Sequence, residues 1–432
     1  MSSSPIVTPP SRSPNDDKWR FEAITLPCEW VEKYRPGGYH PVNLGDTFKD
    51  GQYKVIRKLG EGSYSTVWLA QDTLSGTCVA LKIIVSEISQ NSSESRVLRH
   101  LLQATRGREY VTELLDEFYH DGPNGRHKCL CFEPMGPSVN SMVEELPQFK
   151  PRKRDMKIRY PPWMAKRILK QSLKALEFLH SQGIAHGDFQ PGNILFALPN
   201  INGMHVDTLK QQEILSPRPH HQRVKRLDGK VDKWAPGYLH MAQPLASLTP
   251  FNEGFRVKLS DMSGAYFIND PPMKIVVPIG LRAPELILTG SVNPALDIWS
   301  FGCLIFELIT GRPLFCAFDP DNEDDDHIIS LISAIGPLPD SLFKHWGNCS
   351  LYYTPDGKLF NCELGGVVDG EEPLLLEEPP LEELFDQTDP DLSTEEANEV
   401  KALIKRILQY DPAKRPTATE LLIDPWFSAI SL

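Results

Sequence analysis

HGDFQPGNILF, residues 186–196, places an imidazole, a carboxylate and a carboxamide on one short segment, with Asp188 and Asn193 on either side of a Pro-Gly turn. That order suits chemistry on phosphoryl groups. The transition state of phosphoryl transfer is loose, so a protein supplies mainly positioning and charge neutralisation, and a carboxylate needs only hydrogen-bond reach to a hydroxyl nucleophile. Asp188 is the candidate for that carboxylate. Asn193 offers a neutral oxygen that, together with an Asp from another segment, suits the octahedral oxygen shell of Mg²⁺. Asp261, closing the strand-like start of VKLSDMSGA (257–265), is the candidate second metal ligand. A lone Asp in LSDMSG would usually be a turn residue, but a strand-like run ending in Asp at this distance past the loop, and before LRAPE, favours the metal-ligand reading.

A second stretch makes phosphate chemistry more specific. LGEGSYSTV (59–67) puts Gly60 and Gly62 in a turn between two predicted strands, where the absence of a Cβ lets backbone N–H groups approach phosphates. A glycine pair alone fits a plain hairpin. VALK (79–82) follows, however, and sets Lys82 on the next strand but one, within reach of the α and β phosphates of ATP. Such a lysine needs a carboxylate to orient it. Glu94, in the helical SSESRVLRHLL, is the first candidate and Glu87 the second. The expected nucleotide surface comprises Leu59, Gly60, Glu61, Gly62, Ser63, Tyr64, Ser65, Thr66 and Val67, with Ala80 and Lys82.

Around these motifs the texture changes along the chain. Residues 1 to 18 are rich in Ser and Pro and cannot offset their ordering entropy by burial, so a disordered tail is expected. Residues 19 to 52 form a lead-in. YKVIRKLG, TVWLAQD and CVALKIIV are β-branched-rich runs separated by turn residues, which predicts an antiparallel sheet over 53 to 136. In WMAKRILKQSLKALEFLHSQG, Ile168, Leu169, Leu173, Leu176 and Leu179 recur at helical spacing and Gly183 is a natural stop. The chain therefore reads as α+β and bilobal, a β-rich N-lobe before a helical C-lobe over 137 to 428. Residues 197 to 254 lack periodicity and read as an insert in that C-lobe.

Bulk properties narrow the partners. The 432 residues carry a net charge of -12, which disfavours direct nucleic-acid or anionic-membrane binding and favours a basic partner. The longest apolar run, GCLIFELITG, is interrupted by Glu307 and too short to span a bilayer. Eight cysteines lie scattered without zinc-ligand spacing, and Cys129 and Cys131 sit in an apolar run, so reduced core thiols are expected. With no signal-peptide pattern at the N-terminus, a cytoplasmic or nuclear protein is expected. The basic run HHQRVKR (220–226) reads as a solvated loop or an import signal.

HGDxxPGN resembles the loop of small-molecule phosphotransferases, but three later segments point elsewhere. LRAPELILTG (281–290), DIWSFGCLIFELITGRPLF (297–315) and DPAKRPTATELLIDPWF (411–427) resemble, in order, the A-P-E segment, the D-x-W-S-x-G helix and the closing helix of eukaryotic protein kinases. The resemblance implies a protein-kinase fold with ATP and Mg²⁺ as cofactors. It also implies that Phe132 borders the adenine pocket, that Glu133 and Met135 pair with the base, and that Glu285 and Arg415 form a buried pair. WVEKYRPGGYHPVNLGDTFKDGQYKVIRKLG (30–60) is similar to the lead-in of the SR-protein kinases, fungal members in particular. Members of that family phosphorylate Ser in arginine/serine-rich, splicing-type proteins, held by acidic C-lobe surface. Asp319, Asp321 and Glu323 to Asp326 are the acidic residues that would suit such a substrate.

Departures from the kinase pattern bear on activity. Gly187 replaces an arginine that pairs with a phosphorylated activation loop, and residues 267 to 285 contain no Ser, Thr or Tyr. Gln190 replaces the lysine that contacts the transferred phosphate, Pro278 replaces a threonine, and Ser263 departs from the metal motif. Two readings follow. One is an active serine/threonine kinase with weakened chemistry, in which Asp188, Gln190, Lys82 and Glu94 are catalytic. The other is a pseudokinase scaffold that binds ATP with little transfer.

Overall fold

The computed structural model describes residues 19–90, 92–150, 157–212, 221–316, 322–353 and 379–432. The expected tail lies outside them, as do Asp319 and Asp321. Two compact units emerge, the first from Met1–Gln103, Thr112–Pro137 and Leu195–Phe255, the second from Ala104–Val111, Ser138–Ile194 and Arg256–Leu432.

In the first unit, β1 (Thr47–Phe48), β2 (Tyr53–Gly62), β3 (Ser65–Asp72), β4 (Cys78–Ile84), β5 (Leu114–Gly122) and β6 (Gly125–Phe132) form an antiparallel sheet in the order β1-β2-β3-β4-β6-β5. Helix α1 (Glu94–Leu101) follows β4. Alternation along β4 sets its two faces. Val79, Leu81 and Ile83 pack with Trp68, Val55, Phe48, Cys129 and Cys131 in one core, so the two cysteines are buried hydrophobes with their thiols pushed up by desolvation. The cysteines among the described residues are free. Each fully buried Val, Leu, Ile or Phe side chain of this core contributes about 1.5–3 kcal/mol.

The insert differs from its expected place. Its contacts assign 195–255 to the first unit. Ile201, Leu209 and Leu245 cover Ile56, Leu69 and Cys78 of the sheet, while Leu239 packs with Phe21, Val31, Tyr34 and Tyr39 of the lead-in. Within it, β7 (His221–Arg223) pairs antiparallel with β8 (Tyr238–His240). Arg226, in the basic run read as solvated, is buried between Asp228 and Asp232. The insert's few apolar residues are too sparse to show a period, because their partners lie on the sheet and the lead-in rather than on the insert itself.

The second unit is built on α2 (Pro162–Ser181) and α3 (Ala295–Thr310). Ile168, Leu169, Leu173, Leu176 and Leu179 are buried, and Gly183 follows with a φ of 71°. α3 is buried on almost every side, as expected of a central helix. It is followed by α4 (Glu323–Ile335) and α5 (Thr394–Ile407). No helix among the described residues is long and apolar enough to cross a membrane.

Candidate active site

On the first unit, Gly60 faces Val67 and Gly62 faces Ser65 across the β2–β3 hairpin. Neither glycine has a positive φ, and a Cβ at either would meet no atom within 4 Å. Backbone geometry and packing therefore leave both positions unexplained, whereas close approach of a ligand explains them. Around them, Leu59 packs on the insert-side core, Tyr64 stays exposed and Ser65 is buried. Thr66 accepts a hydrogen bond from Trp68 Nε1 at 3.0 Å, and Val67 is paired with Lys82 in the sheet. Glu61 Oε2 lies 3.1 Å from Lys58 Nζ.

Lys82 and Ala80 share one face of β4. Lys82 Nζ meets Glu94 Oε1 at 2.7 Å, and both side chains are buried. Glu87, the second candidate, is exposed and paired with Arg35 at 3.2 Å, so Glu94 is the partner. Phe132 is paired with Ala80 across the sheet, Glu133 accepts from the Glu113 backbone N–H at 3.1 Å, and Met135 is buried.

On the second unit, Asp188 is held at both carboxylate oxygens. Gln190 Nε2 donates to Oδ1 at 2.7 Å, and Asn193 Nδ2 donates to Oδ2 at 2.9 Å and to the Asp188 carbonyl at 2.8 Å. Burial pushes the Asp188 carboxyl up from its usual range, the charge of Asp261 adds to that, and His186, Asn193 and Gln190 oppose it. The Ser260 backbone N–H and hydroxyl both donate to the Asn193 carbonyl, at 2.7 and 2.8 Å, which sets Asn193 beside the segment carrying Asp261. Asp261 itself has a φ of 58° and accepts from the Ser263 N–H at 3.2 Å. These are hard oxygen donors on adjacent segments beside a carboxylate that a cation would stabilise, a set that fits Mg²⁺.

The loop carrying Asp188 hangs on a residue whose role the sequence left unread. Asp297, buried in α3, accepts from the N–H of His186 at 2.7 Å and of Gly187 at 2.9 Å, and bonds His180 Nε2 at 2.9 Å. Burial opposes its charge, yet His180, His186 and the backbone donors outweigh burial and hold its carboxyl below the usual range. An aspartate inside the apolar run of α3 was the available signal. Gly187 has a φ of 73°, and a Cβ there would come within 2.4 Å of the Gly264 carbonyl oxygen. Its glycine is thus demanded by a close backbone crossing as well as being an arginine lost.

A cavity of about 230 Å³ adjoins Gln190 and is lined also by Pro278, Gly280, Cys303, Glu307 and Leu314. In the same unit, Arg415 clasps Glu285 with two bonds of 2.7 Å, both side chains buried.

Comparison with known proteins agrees with this geometry. A family model described as "Protein kinase domain" matches residues 53–206 and 247–427. The serine/threonine-protein kinase SRPK of Physarum polycephalum is 31% identical over 421 residues, covering 93% of this chain and 92% of that one. Protein kinase dsk1 of Schizosaccharomyces pombe is 28% identical over 509 residues, covering 96% and 88%. A crystallised kinase domain superposes with a TM-score of 0.59 at 23% identity, over 90% of this chain and 98% of that one, which supports the fold. The chain belongs to the protein kinase family and, within it, to the serine/threonine-protein kinases of SRPK type.

Proposed function

We propose that this kinase transfers the γ-phosphate of ATP to serine, and secondarily threonine, in basic, arginine/serine-rich proteins. The observation that carries transfer, rather than nucleotide binding alone, is the clamp on Asp188: both carboxylate oxygens are fixed by neutral donors on its own loop. A scaffold has no need of an oriented base.

Protein kinases in general use ATP and Mg²⁺. In this reading Gly60 and Gly62 admit the phosphates to the backbone, and Lys82, oriented by Glu94, pairs with the α and β phosphates. Phe132, Glu133 and Met135 would receive the base. Asn193 and Asp261 would hold Mg²⁺, which neutralises charge on the phosphates. Asp188 accepts the proton of the substrate hydroxyl, and Gln190 keeps it oriented, offering a neutral donor where a lysine would offer a charge.

A basic substrate is supported by the charge of -12 and by the resemblance to SR-protein kinases. Among the acidic residues expected to receive it, Glu323 to Asp326 form the first turn of α4, where negative charge also complements the helix dipole. This surface is already engaged: Glu323 and Asp324 meet Arg282 at 3.5 and 2.6 Å, and Asp325 accepts from Trp346 and Asn348. An arginine-rich peptide would therefore compete with Arg282 at that surface.

The test is phosphate incorporation from Mg·ATP into an arginine/serine-repeat peptide and a neutral serine peptide. Transfer favouring the basic peptide and vanishing in Asp188→Ala is expected. ATP binding without transfer by the wild type would instead mean a pseudokinase scaffold.

A further inference from the structure

The lead-in does more than cover the sheet. Tyr39, buried and tilted against Tyr34 with ring centroids 5.6 Å apart, reaches the glycine-rich hairpin. Its hydroxyl lies 2.6 Å from the Gly62 carbonyl oxygen and 3.2 Å from that of Ser63. Lys33 Nζ, beside the same ring, donates to the Ser63 carbonyl at 3.4 Å.

In a planar trans peptide the carbonyl of one residue and the N–H of the next point in opposite directions. Fixing the Gly62 and Ser63 carbonyls therefore fixes the Ser63 and Tyr64 N–H groups. A donor on the carbonyl also polarises the amide and makes its N–H a better donor in turn. We propose that Tyr39, assisted by Lys33, is a positioning residue that aims the backbone N–H groups of Ser63 and Tyr64 at the phosphates of the nucleotide. The proposal rests on the reading of this hairpin as the ATP loop.

The brace is built to hold still. Asn124 Nδ2 donates to the Tyr39 carbonyl and, at 2.8 Å, to that of Trp234 in the insert. Gly37 N–H bonds the Asn124 carbonyl at 2.7 Å, and Glu87 N–H bonds the Gly37 carbonyl at 2.9 Å. Close by, buried Lys58 joins Glu29 of the lead-in, Glu61 of the loop and the His240 carbonyl of the insert. Tyr34 closes the ring by donating to Glu29 at 2.5 Å. Lead-in and insert thus converge on one loop, an arrangement with no use in a plain hairpin turn.

The experiment compares wild type with Tyr39→Phe, which removes only the hydroxyl, and Lys33→Ala, which removes the second donor. Binding of adenosine and of Mg·AMP-PNP is measured by calorimetry, with the KM for ATP and for peptide alongside. One lost hydrogen bond predicts AMP-PNP binding weakened about three- to tenfold in Tyr39→Phe, with adenosine affinity and peptide KM unchanged. Lys33→Ala shows a smaller loss with the same selectivity for the phosphorylated ligand. Equal weakening of adenosine and AMP-PNP in both variants, or unchanged binding of both ligands, overturns the proposal. Wild type that binds neither ligand overturns the ATP reading beneath it.

Discussion

Gln190 donates to Asp188 Oδ1 at 2.7 Å, so the residue standing where protein kinases carry lysine is bonded to the candidate base itself. The bond keeps the orientation a lysine would give and omits the charge. Gln190→Lys should raise kcat, because a preorganised cation stabilises the transferring group more than an amide does, by about tenfold or more. Gln190→Ala should lower kcat by a similar factor with peptide KM little changed. Steady-state phosphorylation of one serine peptide by the three proteins checks both.

The pH dependence follows from the same carboxylate. Burial raises Asp188, and it must be ionised to accept a hydroxyl proton. Activity should therefore fall, as pH drops, at a pH above the ordinary aspartate range near 3.9. A lysine at 190 favours the ionised form, so the acid limb of kcat/KM should move to lower pH in Gln190→Lys. A limb unmoved by that substitution would assign it to another group.

The activation segment offers no hydroxyl to phosphorylate from Phe267 to Glu285 and is secured by other means. Arg282 donates to the Val277 carbonyl at 3.2 and 3.0 Å and meets Asp324 at 2.6 Å, and the Arg282 carbonyl bonds His327 Nε2 at 2.9 Å. Phosphatase treatment should leave activity intact, whereas Arg282→Ala should reduce it severalfold. Restoring arginine at position 187 should create no switch, since any Cβ there meets the Gly264 carbonyl. Gly187→Ala should itself cost about 2–4 kcal/mol, from strain at positive φ plus the clash, and abolish most transfer.

Much of this was legible in the residues. The sheet could be read from β-branched runs around glycine turns, and α2 from its apolar spacing, because local pattern and final packing agree there. Lys82, Glu94, Asp188 and Asn193 carry their chemistry in motifs whose spacing is local. What stayed hidden depends on contacts between distant segments. Asp297 anchors a loop far from it in sequence, Tyr39 braces the hairpin from the lead-in, and the insert finds its apolar partners on the first unit. Gly187 read as a lost arginine, since the crossing of Gly264 that demands glycine appears only when the two segments meet.

Glu285 and Arg415 test how far the second unit depends on one ion pair. The guanidinium makes two 2.7 Å bonds to the carboxylate, a third to the Ala295 carbonyl at 3.1 Å, and stacks 4.8 Å from the Trp299 ring centroid. Removing either partner leaves the other charge buried, so Arg415→Ala and Glu285→Ala should each cost about 3–5 kcal/mol, read as a lower denaturant midpoint. The double mutant should cost less than the sum of the singles.

Acid should destabilise the first unit through a histidine cluster. His40 packs edge-on against His120 and His127, with ring centroids 4.7 and 5.0 Å away, and burial followed by the two neighbouring imidazoles lowers its pKa from 6.5 to about 3. Burial also lowers His120 and His127, although Asp121 and Asp46 oppose this at His120 and the Ile84 carbonyl and Asp121 at His127. In the unfolded chain all three take up protons near pH 6.5, whereas in the folded unit they resist. The unfolded state thus binds more protons between those values, and stability is full above pH 6.5 and declines as pH falls toward 3. His40 alone sets a slope approaching about 1.4 kcal/mol per pH unit inside the window. Replacing it with phenylalanine, which fits a site already walled by Phe48, should flatten the decline between pH 7 and 5, measured by urea denaturation at each pH. An equally steep decline in His40→Phe would place the acid sensitivity elsewhere.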